Sequence, residues 1–289
     1  MGGWTDAKTI TVPERLRGYP GVAFGGYVAG VLAGRVTGRV AGGVAGGMAE
    51  GAVGVPGRVA EGAVPVPGRM AEEALQVPGR VAEGAVRVDF RRPVPTATAV
   101  TFAETPEGGS ALMDGELLLA AALPAVWEAG ELPAVPSWEE ATVAAEAYRA
   151  APPEGQVDCF GCGLHRTPDT GLRLHCGRVA GRDVVATAWT PGPELGTPAG
   201  LLPYELVWGA LDCPGNAAGR LLDGRPAGAV TAALTGRLLR PVPVGAGLVS
   251  YAWMRESAPR KYRVGTALAT AAGELCAVGE ALWVVPRAA

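Results

Sequence analysis

The sequence predicts an α+β fold in which one unit is used twice: a strand, a single central helix and an antiparallel meander. Two observations carry this. The tetrapeptide Arg92-Pro93-Val94-Pro95 returns as Arg240-Pro241-Val242-Pro243, 148 positions further on in a chain of 289 residues. Each copy closes a strand-like run, 86–91 in the first half and 234–239 in the second, and each run follows a Gly-rich, helix-compatible segment. A lone helix among consecutive strands argues for a sheet wrapped over that helix, and an offset of half the chain argues for duplication.

In the first half a short strand fits 8–12, and Phe24-Gly25-Gly26 opens a small-residue helix that runs to residue 34. Strands then fit 85–91, 97–104 and 110–119. A Pro- and Glu-rich connector spans 124–156 and contains one short helix, capped by Ser137 with Glu140 three residues on. In the second half, strands fit 171–176 and 183–189, and a helix covers 204–222, kinked or broken at Pro214. Four strands, 229–239, 247–255, 261–270 and 275–285, complete it. The two units are therefore 1–123 and 157–289.

One segment of the first unit, 35–84, stands apart as an insertion. From Val44 the chain repeats every 11 residues, and three repeats begin Val-Pro-Gly-Arg. An 11-residue period can wind a helix, but Pro56, Pro67 and Pro78 each remove a backbone donor, so each repeat holds two helical turns at most. It reads either as an interaction arm or as a passive expansion looped out of the domain.

Composition narrows the function classes. The hydrophobic fraction is 48 % and the formal charge −3, which leaves no electrostatic footprint for nucleic acid. The N-terminus lacks a basic stretch followed by an apolar core, and the uncharged run 18–34 is too short and too weakly apolar to span a bilayer. Five cysteines without a framework spacing point to a reduced, cytoplasmic protein.

The residues also resemble a known family. Phe24-Gly25-Gly26-Tyr27-Val28-Ala29 looks like the start of the central helix in hotdog thioesterases. Cys159-Phe160-Gly161-Cys162-Gly163 followed by Gly171-Leu172-Arg173-Leu174 resembles the opening of a second unit, and the stretch from Glu205 to Pro214 resembles a second helix. In order and duplication these segments are similar to the double-hotdog acyl-CoA thioesterase type. The resemblance implies a tandem hotdog fold, two central helices wrapped by antiparallel sheet, acting on acyl-CoA or another acyl thioester. It implies no cofactor and leaves room for a homodimer. The family's catalytic Asp and Thr fall on Asp212 and Thr231; its catalytic Gln has no counterpart, with only Glu280 nearby.

Thioester hydrolysis needs a water, a base and donors for the developing oxyanion. A helix N-terminus supplies free N–H groups, so Gly25 and Gly26 suit substrate binding; close helix–sheet packing is the other reading. Glu205 and Asp212 lie seven apart, on one helix face, with Trp208 between. Apolar neighbours would raise the pKa of Asp212 and poise it as a base; capping the backbone near Pro214 is the alternative. Thr231 and Thr235 share a strand face and could hold a water against Asp212; ordinary β-propensity is the other reading, favoured for Thr235. Tyr204 and Trp208 are expected along an acyl tunnel. Hydrolysis by Asp212 and Thr231 thus competes with a non-catalytic acyl-CoA binder that kept the fold.

Three other patterns bear on the chemistry. No Ser-His-Asp set or Gly-x-Ser-x-Gly elbow occurs. Cys159-x-x-Cys162 with His165 and His175 or Cys176 could outline a zinc site, but the spacing is irregular and points to a tight connecting turn with no metal. Arg255, Arg260, Lys261 and Arg263 around Pro259 fit either coenzyme A phosphates or a solvated hairpin tip.

Overall fold

The computed structural model describes residues 8–43, 84–155 and 157–287. The first half supplies β1 (Thr9–Thr11), a two-stranded ribbon of β2 (Arg17–Tyr19) and β3 (Val22–Ala23), and helix α1 (Gly25–Gly43). It continues with β4 (Ala85–Phe90), β5 (Ala99–Glu104), β6 (Ser110–Asp114) and β7 (Leu117–Ala125), and helix α2 (Trp138–Ala150) follows. The second half supplies β8 (Gly177–Arg178), β9 (Val185–Trp189), helix α3 (Tyr204–Leu222), β10 (Val230–Leu238), β11 (Leu248–Ser257), β12 (Lys261–Thr270) and β13 (Leu275–Val284).

Among the described residues, eleven strands form one sheet in the order β1-β5-β6-β7-β4-β10-β13-β12-β11-β9-β8. Strands from the first half fill one side and strands from the second half the other. They meet where β4 pairs antiparallel with β10, Val88 opposite Leu234. Each Arg-Pro-Val-Pro segment follows one of these two central strands, where the missing Pro donors end the ladder.

Helices α1 and α3 pack against each other and share the main core with the inner face of the sheet. Their contact depends on glycine. A Cβ at Gly26 would lie 2.7 Å from the Gly209 Cα, and one at Gly30 would fall on the Glu205 backbone. Gly26 thus meets Gly209 while Gly30 meets Glu205, so the helices run in opposite directions.

The sequence of β11 explains why one side of the sheet is covered twice. Its first six residues, 248–253, are all buried. Leu248 and Ala252 belong to the core under α3, whereas Val249, Tyr251 and Trp253 belong to a second core with Ala141 and Ala144 of α2. The expected capping box of α2 is present: Glu140 N donates to Ser137 Oγ at 3.1 Å and Ser137 N donates to Glu140 Oε2 at 2.7 Å. The helix expected inside a connector is therefore a packed layer.

Four expectations need correction. Helix α1 continues to Gly43 rather than ending near residue 34, so it enters the segment 35–84 read as an insertion; the repeats of residues 44–83 lie outside the described residues. The run 110–119 is two strands, because Gly115, at φ +58°, turns the chain so that Asp114 pairs with Leu117. Residues 171–176 are not a strand: Leu172 N and Leu174 N donate to the turn carbonyls of Phe160 and Gly161 at 2.8 and 2.9 Å. Finally, of the kink or break expected at Pro214, the break does not occur: α3 continues through it. Proline removes the donor that Ala210 O would accept from, and the buried Ser250 hydroxyl on β11 supplies it instead, at 2.8 Å.

Candidate active site

Asp212 sits on α3 where α1 begins, and it is buried. Its carboxylate takes two short hydrogen bonds from distant parts of the chain. Gly26 N donates to Oδ2 at 2.7 Å, and Thr231 Oγ1 donates to Oδ1 at 2.7 Å. The Gly26 N–H is among the first-turn donors of α1 that no helical carbonyl can reach. The absence of side chains at Gly25 and Gly26 admits the acid: a Cβ at Gly25 would stand 3.1 Å from Asp212 Oδ2, and one at Gly26 2.8 Å from Asp212 Cβ. Thr231 is aimed by a bulge in β10 between Thr231 and Ala233. The bulge also breaks the alternation by which Thr231 and Thr235 would share a face, and only Thr231 bonds to Asp212.

Burial pushes the Asp212 carboxyl up to about 7, against the opposing pull of the Thr231 and Gly26 hydrogen bonds. Asp212 opens on a cavity of about 450 Å³, within the usual size of small-molecule sites. The first half contributes Tyr19, Val22 and Phe24, the Gly25 end of α1, and the chain from Phe90 to Val94, which includes the first three residues of the first Arg-Pro-Val-Pro segment. The second half contributes Cys159, Cys162, Cys213, Asn216, Arg220, Thr231 and Trp283. The site is composite: the acid and hydroxyl come from one half, the helix N-terminus and two arginines from the other.

Of the residues assigned from sequence, Asp212, Thr231 and Gly25 line this cavity, and Gly26 bonds to the acid behind it. The Gly26 N–H is thus engaged by the carboxylate, which leaves Gly25 as the backbone donor at the cavity. Tyr204 and Trp208 do not line it. Trp208 is fully buried beneath Gly236 of β10, and Tyr204 packs on it with ring centroids 6.1 Å apart. They share a helix with Asp212, but their neighbours are the sheet and α1.

The remaining candidates are elsewhere. Glu205 is buried against Gly30, and burial pushes its carboxyl up to about 7. Glu280 takes ion pairs from Arg255 Nη1 at 2.9 Å and Arg263 Nη1 at 3.1 Å, and Arg263 also pairs with Glu256. This uses part of the basic cluster around Pro259 away from the cavity. His165 is exposed; His175 is buried, its ring stacked on Tyr148 and its Nε2 3.3 Å from Gly163 O. Neither joins Cys159 and Cys162. Cys213 does, and the three sulfurs lie within 4.8 Å of one another.

Sequence reasoning missed Asn216, Arg91, Arg92 and Tyr19. Asn216 follows Asp212 by four residues on α3, a spacing that puts both on one helix face. Its amide donates to Ala229 O at 3.4 Å, as does the Tyr19 hydroxyl at 2.8 Å. Among the described residues, no helix is long and apolar enough to cross a membrane.

No family model matches the chain, and no curated protein matches it in sequence. Solved structures do. A conserved protein of unknown function with a hot dog fold from Alicyclobacillus acidocaldarius is similar over 98 % of this chain and 95 % of that one, at 13 % identity and a TM-score of 0.53. An acyl-CoA thioesterase II from Mycobacterium marinum is similar over 97 % of this chain and 93 % of that one, at 10 % identity and a TM-score of 0.51. The fold is the hotdog fold, with its antiparallel sheet and central helices.

Proposed function

We propose that the chain is a tandem hotdog protein, with units 1–123 and 157–289, that hydrolyses an acyl thioester of the acyl-CoA kind. The observation that supports this most is the junction of Asp212 with Thr231 and Gly26 at the wall of a largely apolar cavity. The likeness to thioesterase structures agrees with it at the level of fold.

In this reading Asp212 is the base. A water held by Thr231 and Asp212 attacks the thioester carbonyl carbon while Asp212 takes its proton. The Gly25 N–H, at the positive end of α1, stabilises the oxyanion. The C–S bond then breaks, and the proton passes from Asp212 to the leaving thiolate, giving a carboxylic acid and a thiol. Asn216 presents an amide to the same cavity, where the family's Gln is missing. Arg91 and Arg92, both exposed, and Arg220 are placed to meet phosphates of a coenzyme A moiety.

The experiment is a panel of acyl-CoA substrates with free-thiol detection, run on the wild type and on Asp212→Asn. Turnover by the wild type and its loss in the variant, with acyl-CoA binding retained, supports hydrolysis. Binding without turnover at any chain length makes the protein a non-catalytic acyl-CoA binder. Equal turnover by both removes Asp212 from the mechanism.

A further inference from the structure

The geometry points to a second site in the wall of the same cavity: Cys159, Cys162 and Cys213 form a three-thiolate site for a zinc-class divalent cation. It rests on these side chains and is independent of the hydrolysis reading.

The three cysteines come from two separate segments. Cys159 and Cys162 flank a tight turn, and Cys213 projects from α3. Zinc–sulfur bonds of about 2.3 Å in a tetrahedron set neighbouring sulfurs about 3.8 Å apart. The Cys159 and Cys213 sulfurs are already 3.8 Å apart. Cys162 lies within 4.8 Å of both and is half-buried on the turn, so it needs an approach of only about 1 Å to complete a face. All three line the cavity, which leaves the fourth position open to water from that side.

The turn is built to hold this arrangement. Gly161 N donates to Cys159 Sγ at 3.2 Å, a hydrogen bond that orients a sulfur ligand from outside the metal shell. A side chain at Gly161 would strike Cys213 Sγ and, at 2.7 Å, the Phe24 ring, so glycine is needed for the turn to close on α3. Arg166 fixes the turn from behind. Its Nε donates to Asp158 Oδ1 at 3.0 Å, and its Nη2 to Asp158 O at 2.9 Å. Three cysteines can converge as small apolar side chains; here the Gly161 N–H adds a polar contact that holds Cys159 Sγ in place. Loading displaces the thiol protons and leaves one negative charge beside a cavity that Arg91, Arg92 and Arg220 also line.

The test uses the full chain purified anaerobically with reductant. We expect one equivalent of zinc by elemental analysis. Exchange for Co²⁺ should give a thiolate-to-metal charge-transfer band saturating at one equivalent, and a chelator should lower the melting temperature. Cys162→Ser and Cys213→Ser should each weaken metal binding more than tenfold and abolish the chelator effect, while Cys176→Ser and Cys276→Ser retain both. Cys162 is half-buried, so its variant serves even where Cys213→Ser does not fold. The inference is overturned if the reduced wild type takes up neither Zn²⁺ nor Co²⁺, if Cys162→Ser binds as tightly as the wild type, or if thiol titration finds these cysteines paired as a disulfide.

Discussion

Asp212 and Glu205 sit on the same helix, both buried and both pushed up to about 7 by burial. Each stands where α3 crosses a glycine of α1. At one end of the crossing, Asp212 receives an N–H and a hydroxyl and faces a cavity. At the other end, Glu205 is closed in by Gly30 and bonds to its own backbone, and Ala33 occupies α1 seven residues beyond Gly26. A perturbed acid alone does not mark a site; the donors that meet it, and the space in front of it, do.

The largest expected effect breaks the symmetry at once. Asp212→Asn should lower thioester turnover by about 10²–10⁴-fold, the range for a general base, with binding little changed. Glu205→Gln should leave turnover alone; an equal loss there would end the contrast. Its effect should be on stability. With a carboxyl raised from 4.5 to about 7, folded Glu205 holds a proton that the unfolded chain has lost. Stability therefore falls as pH rises from 4.5 towards 7, and the full cost of the buried charge remains above that. Glu205→Gln should then stabilise by up to about 3 kcal/mol above neutral pH, at about 1.4 kcal/mol per pKa unit, and by nothing in acid, as read from urea midpoints across pH.

Next in size is Gly26→Ala. Its methyl group would meet the Gly209 Cα at 2.7 Å and Asp212 Cβ at 2.8 Å. The overpacking should cost about 1–3 kcal/mol and reduce turnover in the same variant, which joins the helix crossing to the site. Smallest, and confined to structure, Ser250→Ala should cost about 1–2 kcal/mol by stranding the Ala210 carbonyl, with turnover per folded molecule unchanged.

Local signals were legible in the sequence where local chemistry decides the outcome. The bounds of α3, the capping box at Ser137 and the limits of β12 follow from periodicity and cap residues. The Asp114-Gly115 turn was equally local, and the apolar run around it hid it. Residues 171–176 alternate like a strand, but their donors go to the Phe160 turn, a tertiary choice. For the site, Asp212 and Thr231 came from the family resemblance, and helical spacing could not say which neighbours lay opposite. Spacing therefore does not report that Tyr204 and Trp208 pack with the main core outside the cavity at Asp212, or that Cys213 lies beside Cys159. The Gly26–Asp212 bond spans 186 residues, and no periodicity reports such a contact.

The Ser250 hydroxyl has a consequence for the order in which the molecule assembles. Helix α3 lacks one rung of its own ladder at Pro214, and the replacement comes from a strand 40 residues away from the carbonyl it serves. The turn around Ala210 therefore gains its full bonding only when β11 docks. A peptide of α3 alone should lose its winding near Ala210, so the helix that carries Asp212 matures together with the sheet, as one cooperative event and not as a preformed rod.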